Sequence, residues 1–263
     1  MKEKEEIREA IQKRYAQIAI SNSEGGGCCD GGCSCNSSQT DVNKASLIMG
    51  YLKEDLSSVP SDSNMGLGCG NPTALAALRE GETVLDLGSG GGFDCFLARR
   101  QIGETGYVIG VDMTPEMLRL ARQNAKISGY TNIDFRLGEI EHLPVADLSV
   151  DVIISNCVIN LSPDKEQVYK EAYRVLKPGG RLSISDIVAT AELPEEIKQD
   201  LTLMAGCVAG AEYVENIRAM MESVGFKNII LKPKDNSKVI LESWVEDGNV
   251  EDFVASYYIE AIK

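Results

Sequence analysis

Histidine occurs once in the 263 residues, at position 142, which leaves little room for chemistry that shuttles protons through imidazole. Alone in a loop, His142 is expected to be a surface or packing side chain rather than a general base. Positive charge is also short. Twenty-six Lys and Arg face 40 Asp and Glu, for a formal charge of -14. Such a chain repels a phosphate backbone and an anionic bilayer, so neither nucleic acid nor membrane is expected as a partner. Long apolar runs are missing as well. The first stretch, MKEKEEIREAIQKRYAQIAI, has no signal-peptide core, and no segment approaches the length of a membrane span. A cytoplasmic location is therefore expected. There is no internal repeat at solenoid spacing. Cysteine, by contrast, is plentiful. In a reducing compartment the eight cysteines are expected to be thiols in use rather than a disulfide framework.

Ile7, Ile11, Tyr15 and Ile18 fall at helical spacing among charges, so an N-terminal helix packing on the body of the domain is expected. Gly, Ser and Asn mark residues 21–43 as a loop, and a second loop, SSVPSDSNMGLGCGNP, ends at Pro72. TALAALR reads as a helix. Beyond it strands and helices alternate: TVLDLG, FDCFLARRQI, YVIGVDM, PEMLRLARQNAKISG, NIDFRLG, SVDVIISN, KEQVYKEAYRVL and RLSISDIV. This rhythm predicts an α/β fold, a doubly wound Rossmann-like sheet that is mostly parallel. After Val188 two helices are expected, over 195–205 and 212–224, then strands FKNIILKP and VASYYIEAIK. The intervening segment lies where such a sheet receives a helical lid. Three units are expected: 1–44, an N-terminal helix and Cys-rich loop; 45–188, the Rossmann-like domain; and 189–263, the lid and the last strands.

VLDLGSGGGF carries Asp86, Gly88 and Gly90 between the first strand and its helix, where a side chain would block the approach of backbone to ligand. Phe93 occupies the third glycine position of a dinucleotide fingerprint. Asp86 stands before the loop, suited to an ammonium group rather than a pyrophosphate. Both point to S-adenosylmethionine. Asp112, 24 residues past Gly88, is placed to accept ribose hydroxyls, or alternatively to cap the helix PEMLRLAR. Ile140 and Glu141 in GEIEHLP are candidates to line the adenine. Met113 and Asn156, beside Asp112 and Cys157, complete the candidate cofactor set.

Cys157 ends the fourth strand, where ligands of open α/β sheets bind. Cys69, in MGLGCGNP, and Cys207, in LMAGCVAGA, stand beside glycines in segments with no evident core to bury them. Cys95, on the apolar face of FDCFLARR, is assigned to packing. Three thiols from separated segments can converge on one soft electrophile. Zinc would normally add a fourth ligand, and C-x-x-C pairing is absent from these segments. Trivalent arsenic takes three thiolates and keeps a nucleophilic lone pair. A copper- or zinc-sequestering role for CCDGGCSC is a rival, but it leaves the cofactor motifs unexplained.

The loop, the acidic strand end and GEIEHLP, in order, resemble the class I methyltransferases. That resemblance implies seven strands with the last antiparallel. MGLGCGNP, VLDLGSGGGFDCFLA, VIGVDMTPEML, GEIEHLP, SNCVINLSPDK and GCVAGA are similar in detail to the microbial arsenite S-adenosylmethionine methyltransferases, from about residue 45 onward. The resemblance implies arsenic-binding roles for Cys157 and Cys207, and Cys69 as the third thiol of a redox cycle. It further implies arsenite as substrate, detoxification as the outcome, and a thiol reductant, thioredoxin or a small thiol, as partner. Longer members carry another N-terminal cysteine. Cys28, Cys29, Cys33 and Cys35 all remain candidates for that part, as a mobile thiol donor expected to pair with Cys69. A class I enzyme acting on another small molecule, such as a quinone precursor, is the alternative.

Overall fold

A computed structural model describes residues 4–23, 39–194, 207–242 and 252–263. Cys28, Cys29, Cys33, Cys35 and the helix expected over 195–205 lie outside the described residues. The sequence up to the first strand forms α1 (Lys4–Ser23), α2 (Gln39–Ile48), α3 (Lys53–Ser57) and α4 (Pro72–Leu75). The loop expected over 21–43 is therefore helical at both of its described ends. Ser46 and Met49 explain the second of these, since they lie three apart and bury one face of the segment around α2. The helix expected from TALAALR is a single turn, capped by the Asn71 side chain on the Ala74 amide and followed by Ala77 at φ 44°.

The alternating region follows as β1 (Thr83–Leu87), α5 (Phe93–Ile102), β2 (Tyr107–Asp112), α6 (Pro115–Ser128), β3 (Ile133–Leu137), β4 (Val150–Asn156), α7 (Lys165–Val175) and β5 (Leu176–Ala189). The last part comprises β6 (Glu212–Tyr213), α8 (Val214–Val224), β7 (Lys227–Pro233), α9 (Ser237–Glu242) and β8 (Val254–Ile262). The strands run in the order β3-β2-β1-β4-β5-β8-β7, and β6 pairs with the end of β5. Strands β1 to β5 pair in parallel, and β8 is antiparallel to both β5 and β7. The doubly wound, mostly parallel sheet is as the sequence predicts and the antiparallel last strand as the resemblance implies, while the two-residue β6 brings the strands to eight rather than seven.

Burial follows from this order. Val84, Leu85 and Leu87 of β1 and Val152, Ile153 and Ile154 of β4 are buried on both sheet faces, as expected of central parallel strands. α6 starts with Pro115 at its first turn and stops at Gly129, with φ 68°, burying Met117, Leu118, Leu120 and Ala121. α8 packs Ile217 and Met221 into the cluster that holds Val168, Tyr169 and Ala172 of α7, so it covers a sheet face. Parallel register brings the carboxyl ends of β1, β2, β4 and β5 together: Leu87 faces Val111 and Ser155, and Asn156 faces Ser185. A crevice forms there.

Candidate active site

Cavity-lining residues at those strand ends include all of the expected cofactor set: Asp86, Gly88, Gly90, Asp112, Met113, Ile140, Glu141 and Asn156, together with Cys157. Gly88 turns at φ 68°, and a Cβ there would stand 2.5 Å from Val158. Gly92 opens α5 at φ 93°, where a Cβ would meet Phe96 at 2.8 Å and Phe135 at 2.9 Å. Glycine is required at both turns.

Asp112 combines the two roles that the sequence left open. Its Oδ1 accepts from the Thr114 amide at 2.8 Å, just before α6, and its Oδ2 accepts from the Gly90 amide at 2.9 Å. One carboxylate thus fixes the glycine loop and the helix start, with lone pairs remaining for a ligand.

Sequence reasoning missed Asp94 and Tyr51. The Asp94 carboxylate accepts from the Tyr51 hydroxyl at 2.7 Å and from Asn156 Nδ2 at 3.3 Å. Asp86 accepts from the Cys95 thiol at 3.2 Å, so Cys95 packs as expected and also donates. Burial raises the carboxyl pKa of Asp86, Asp94 and Asp112, and the charge of Asp94 adds to the effect on Asp86. Three carboxylates on one wall favour a cation. The Ser89 hydroxyl, on the same wall, is buried with no hydrogen-bond partner. An unpaired hydroxyl and an anionic wall fit a ligand that carries an ammonium, a sulfonium and ribose hydroxyls. A polar residue inside the apolar run FDCF was the available signal for Asp94; Tyr51 had none.

Helix α1 crosses this cavity. Arg8, Ile11 and Tyr15 line it. Lys4 pairs with Asp164 at 2.9 Å, Arg8 reaches Glu141 at 3.4 Å, and Gln12 donates to the Met113 carbonyl at 2.9 Å. Glu141 also accepts from Ser162 at 2.6 Å. His142 is exposed, as expected.

The cysteines depart from expectation in burial. Cys69 is 0%, Cys157 3% and Cys207 2% exposed, within a cluster that includes Ile187, Leu193, Val208, Ile240 and Val254. The Cys69 loop did lack a local core. The core comes instead from β8 and α9, nearly 190 residues later in the chain: Ser256 Oγ donates to the Cys69 carbonyl at 3.0 Å. Cys69 and Cys157 are joined as a disulfide, their Cα atoms 5.8 Å apart. Among the described residues the partner of Cys69 is Cys157. Cys207 is free, and its thiol donates to the Cys157 carbonyl at 2.8 Å. Cys157 and Cys207 both adopt left-handed backbone, at φ 57° and 65°, a strain of about 1 kcal/mol each that concentrates at functional positions. Burial raises the Cys207 thiol pKa well above its ordinary value, and Asp186 adds to that. Asp186, itself pushed up to about 6 by burial, lies with a carboxylate oxygen within 4.8 Å of both disulfide sulfurs.

Asn156 joins the two regions. Its Oδ1 accepts from the Cys69 amide at 2.9 Å, and its Nδ2 donates to the Gly70 carbonyl at 2.7 Å and the Tyr51 hydroxyl at 2.9 Å. A Cβ at residue 68 would stand 2.4 Å from this amide, which accounts for Gly68.

A family profile described as a methyltransferase domain matches residues 78–225. The arsenite methyltransferase of Halobacterium salinarum is 48% identical over 98% of this chain and 67% of its own length. That of Aquipseudomonas alcaligenes is 41% identical over 84% of this chain and 62% of its own. The chain thus spans about two thirds of these relatives. The crystal structure of an arsenic(III) S-adenosylmethionine methyltransferase from Chlamydomonas reinhardtii superposes with a TM-score of 0.63 at 34% identity, covering 84% of this chain and 73% of that one. The chain belongs to the S-adenosylmethionine-dependent methyltransferases and, within them, to the arsenite methyltransferase family.

Proposed function

We propose that the protein transfers methyl groups from S-adenosylmethionine to trivalent arsenic held by thiolates, an arsenic-detoxifying activity. One observation carries the reading. Cys157 lines the cofactor cavity while its sulfur is bonded to Cys69 and its carbonyl takes the Cys207 thiol. A methyl acceptor held on Cys157 therefore adjoins the cofactor.

S-adenosylmethionine supplies an electrophilic methyl group on a sulfonium. Asp86 and Asp94 hold its ammonium, Asp112 its ribose hydroxyls, and Ile140 and Glu141 flank its base. Once the Cys69–Cys157 bond is reduced, Cys157 and Cys207 bind arsenite by thiol exchange, with Cys69 as a third thiol. The arsenic lone pair then faces the cavity. Positioning supplies much of the rate. No side chain has to move a proton in the transfer, consistent with one exposed histidine. Methylation takes arsenic formally to the pentavalent state. Two electrons from a pair of cysteine thiols return it to trivalent as the pair closes to a disulfide, and Cys69–Cys157 is the pair at hand. A dithiol, thioredoxin or a small thiol, reopens it.

A quinone-type methyltransferase would use the same cavity but gives no role to the cysteines gathered at its edge. The test is turnover of labelled S-adenosylmethionine with a dithiol and both candidate acceptors, arsenite and a quinone precursor. Label recovered in methylated arsenic supports the reading; label recovered only in a quinone precursor supports the alternative.

A further inference from the structure

Lys234 and Ser185 lie outside every motif of the cofactor and arsenic sites. Lys234, at the end of β7, is only 5% exposed. Burial lowers its pKa to about 7, so the ammonium is the main form only below neutral pH; in either form the nitrogen donates to the Cys69 carbonyl at 2.7 Å and to the Ser185 hydroxyl, and it stands 4.5 Å from the centre of the Tyr258 ring. The Ser185 hydroxyl is 3.3 Å from Cys69 Sγ. A disulfide sulfur carries no proton, so Ser185 is the donor in that contact and its oxygen is the acceptor for Lys234. The hydrogen bonds therefore run in one direction, from ammonium to hydroxyl to sulfur. They converge on Cys69.

The two sulfurs of the bridge differ in access. Cys157 lines the cavity, whereas Cys69 is 0% exposed and is absent from its lining. Asp186 lies within 4.8 Å of both sulfurs, so its charge penalises a thiolate on either. Tyr258 faces Lys234 through its ring. The Lys234–Ser185 pair breaks the symmetry.

We propose that Lys234 and Ser185 are positioning residues that make Cys69 the leaving thiolate whenever a dithiol reduces the Cys69–Cys157 bridge. The first thiolate of the dithiol attacks Cys157 Sγ from the cavity. The sulfur–sulfur bond breaks, and its electron pair goes to Cys69 Sγ, which Ser185 holds by a hydrogen bond polarised by the ammonium. The second thiolate of the dithiol then attacks its own sulfur in the mixed disulfide and releases Cys157. The dithiol is oxidised by two electrons, the cysteine pair is reduced by two, and the dithiol's two protons end on the cysteines. A lower leaving-group basicity speeds exchange, and a stabilised thiolate makes a pair more oxidising. The inference rests on the reading of Cys69 and Cys157 as a working redox pair. Arsenic takes no part in its readouts, so failure to methylate arsenite and failure of this assignment are separate results.

Two experiments test it. In the first, the oxidised full chain is exposed briefly to limiting glutathione, quenched with acid, and mapped by peptide mass. Glutathione on Cys157 with a free Cys69 is the expected result; glutathione on Cys69 overturns the proposal. In the second, dithiothreitol reduction rates and redox potentials are compared for the parent, Ser185→Ala and Lys234→Met, with parental S-adenosylmethionine affinity identifying folded variants. Reduction about tenfold slower and a more negative potential in the folded variants are expected. Parental rate and potential in both overturn the assignment. The mapping needs no variant, so glutathione on Cys69 overturns the assignment even if neither substitution folds.

Discussion

At the scale of single residues, the cofactor wall is defined by carboxylates that would be more comfortable protonated. Burial pushes Asp94 up to about 6 from the ordinary carboxylate range. The unfolded chain gives up this proton first, so the folded protein without ligand loses stability as pH rises from about 4 to about 6. A cationic ligand reverses the preference. S-adenosylmethionine is expected to bind more tightly from pH 5 to pH 7, with proton release visible by calorimetry in buffers of different ionisation enthalpy. Affinity independent of pH, with no proton release, would contradict the carboxylate wall. Asp112→Ala is expected to weaken the same binding by about 1.5–3 kcal/mol, the worth of charge-assisted hydrogen bonds, in a protein that still folds. Cys157→Ser and Cys207→Ser should each abolish arsenite binding and leave cofactor affinity intact, because an oxygen is a hard ligand for a soft ion. Cys95→Ser should bind arsenite as the parent does. Asp86, Gly88, Gly90 and Asp112 were legible because they sit within one strand-loop-helix-strand passage. The burial of Cys69 was not legible, because it depends on Ser256, and neither was Lys234. Both reach Cys69 only through the pairing of β7 and β8.

Among the elements, α1 shows how periodicity reveals a helix but not its duty. Ile11 is buried, as its spacing implies, yet Lys4, Arg8 and Gln12 lie at four-residue intervals and fasten the helix to Asp164, Glu141 and the Met113 carbonyl. A charged stripe on a helix usually reads as a solvated face. Only the fold places acceptors beneath this one. Arg8→Ala combined with Gln12→Ala is expected to weaken cofactor binding about fivefold, at roughly 1 kcal/mol for the lost contacts, while thermal unfolding of the sheet changes little. The loop before α4 is under tighter constraint. Gly68→Ala should lower the melting temperature and the cofactor affinity together, because its Cβ would collide with the amide that holds both Tyr51 and the Cys69 loop. The strands of the alternating region were readable from their apolar runs. α9 was not, since SKVILE is too short for its period to stand out.

For the whole molecule, the sheet order gathers at one edge groups that are far apart in sequence: carboxylates from β1, β2 and α5, a thiol from the end of β4, another from the loop before α4, and a third that follows β5. Cofactor wall and cysteine cluster meet at Asn156 and Cys157. In the proposed function this junction carries a methyl group from one side to the other. The most direct measurement gives the reduced full chain arsenite, labelled S-adenosylmethionine and a dithiol, and follows label into arsenic over several turnovers, beside Cys157→Ser. Methylated arsenic is expected from the parent and none from the variant, with both binding the cofactor. A parent that binds S-adenosylmethionine yet places no label on arsenic, or a Cys157→Ser protein that labels it at the parental rate, would contradict the account.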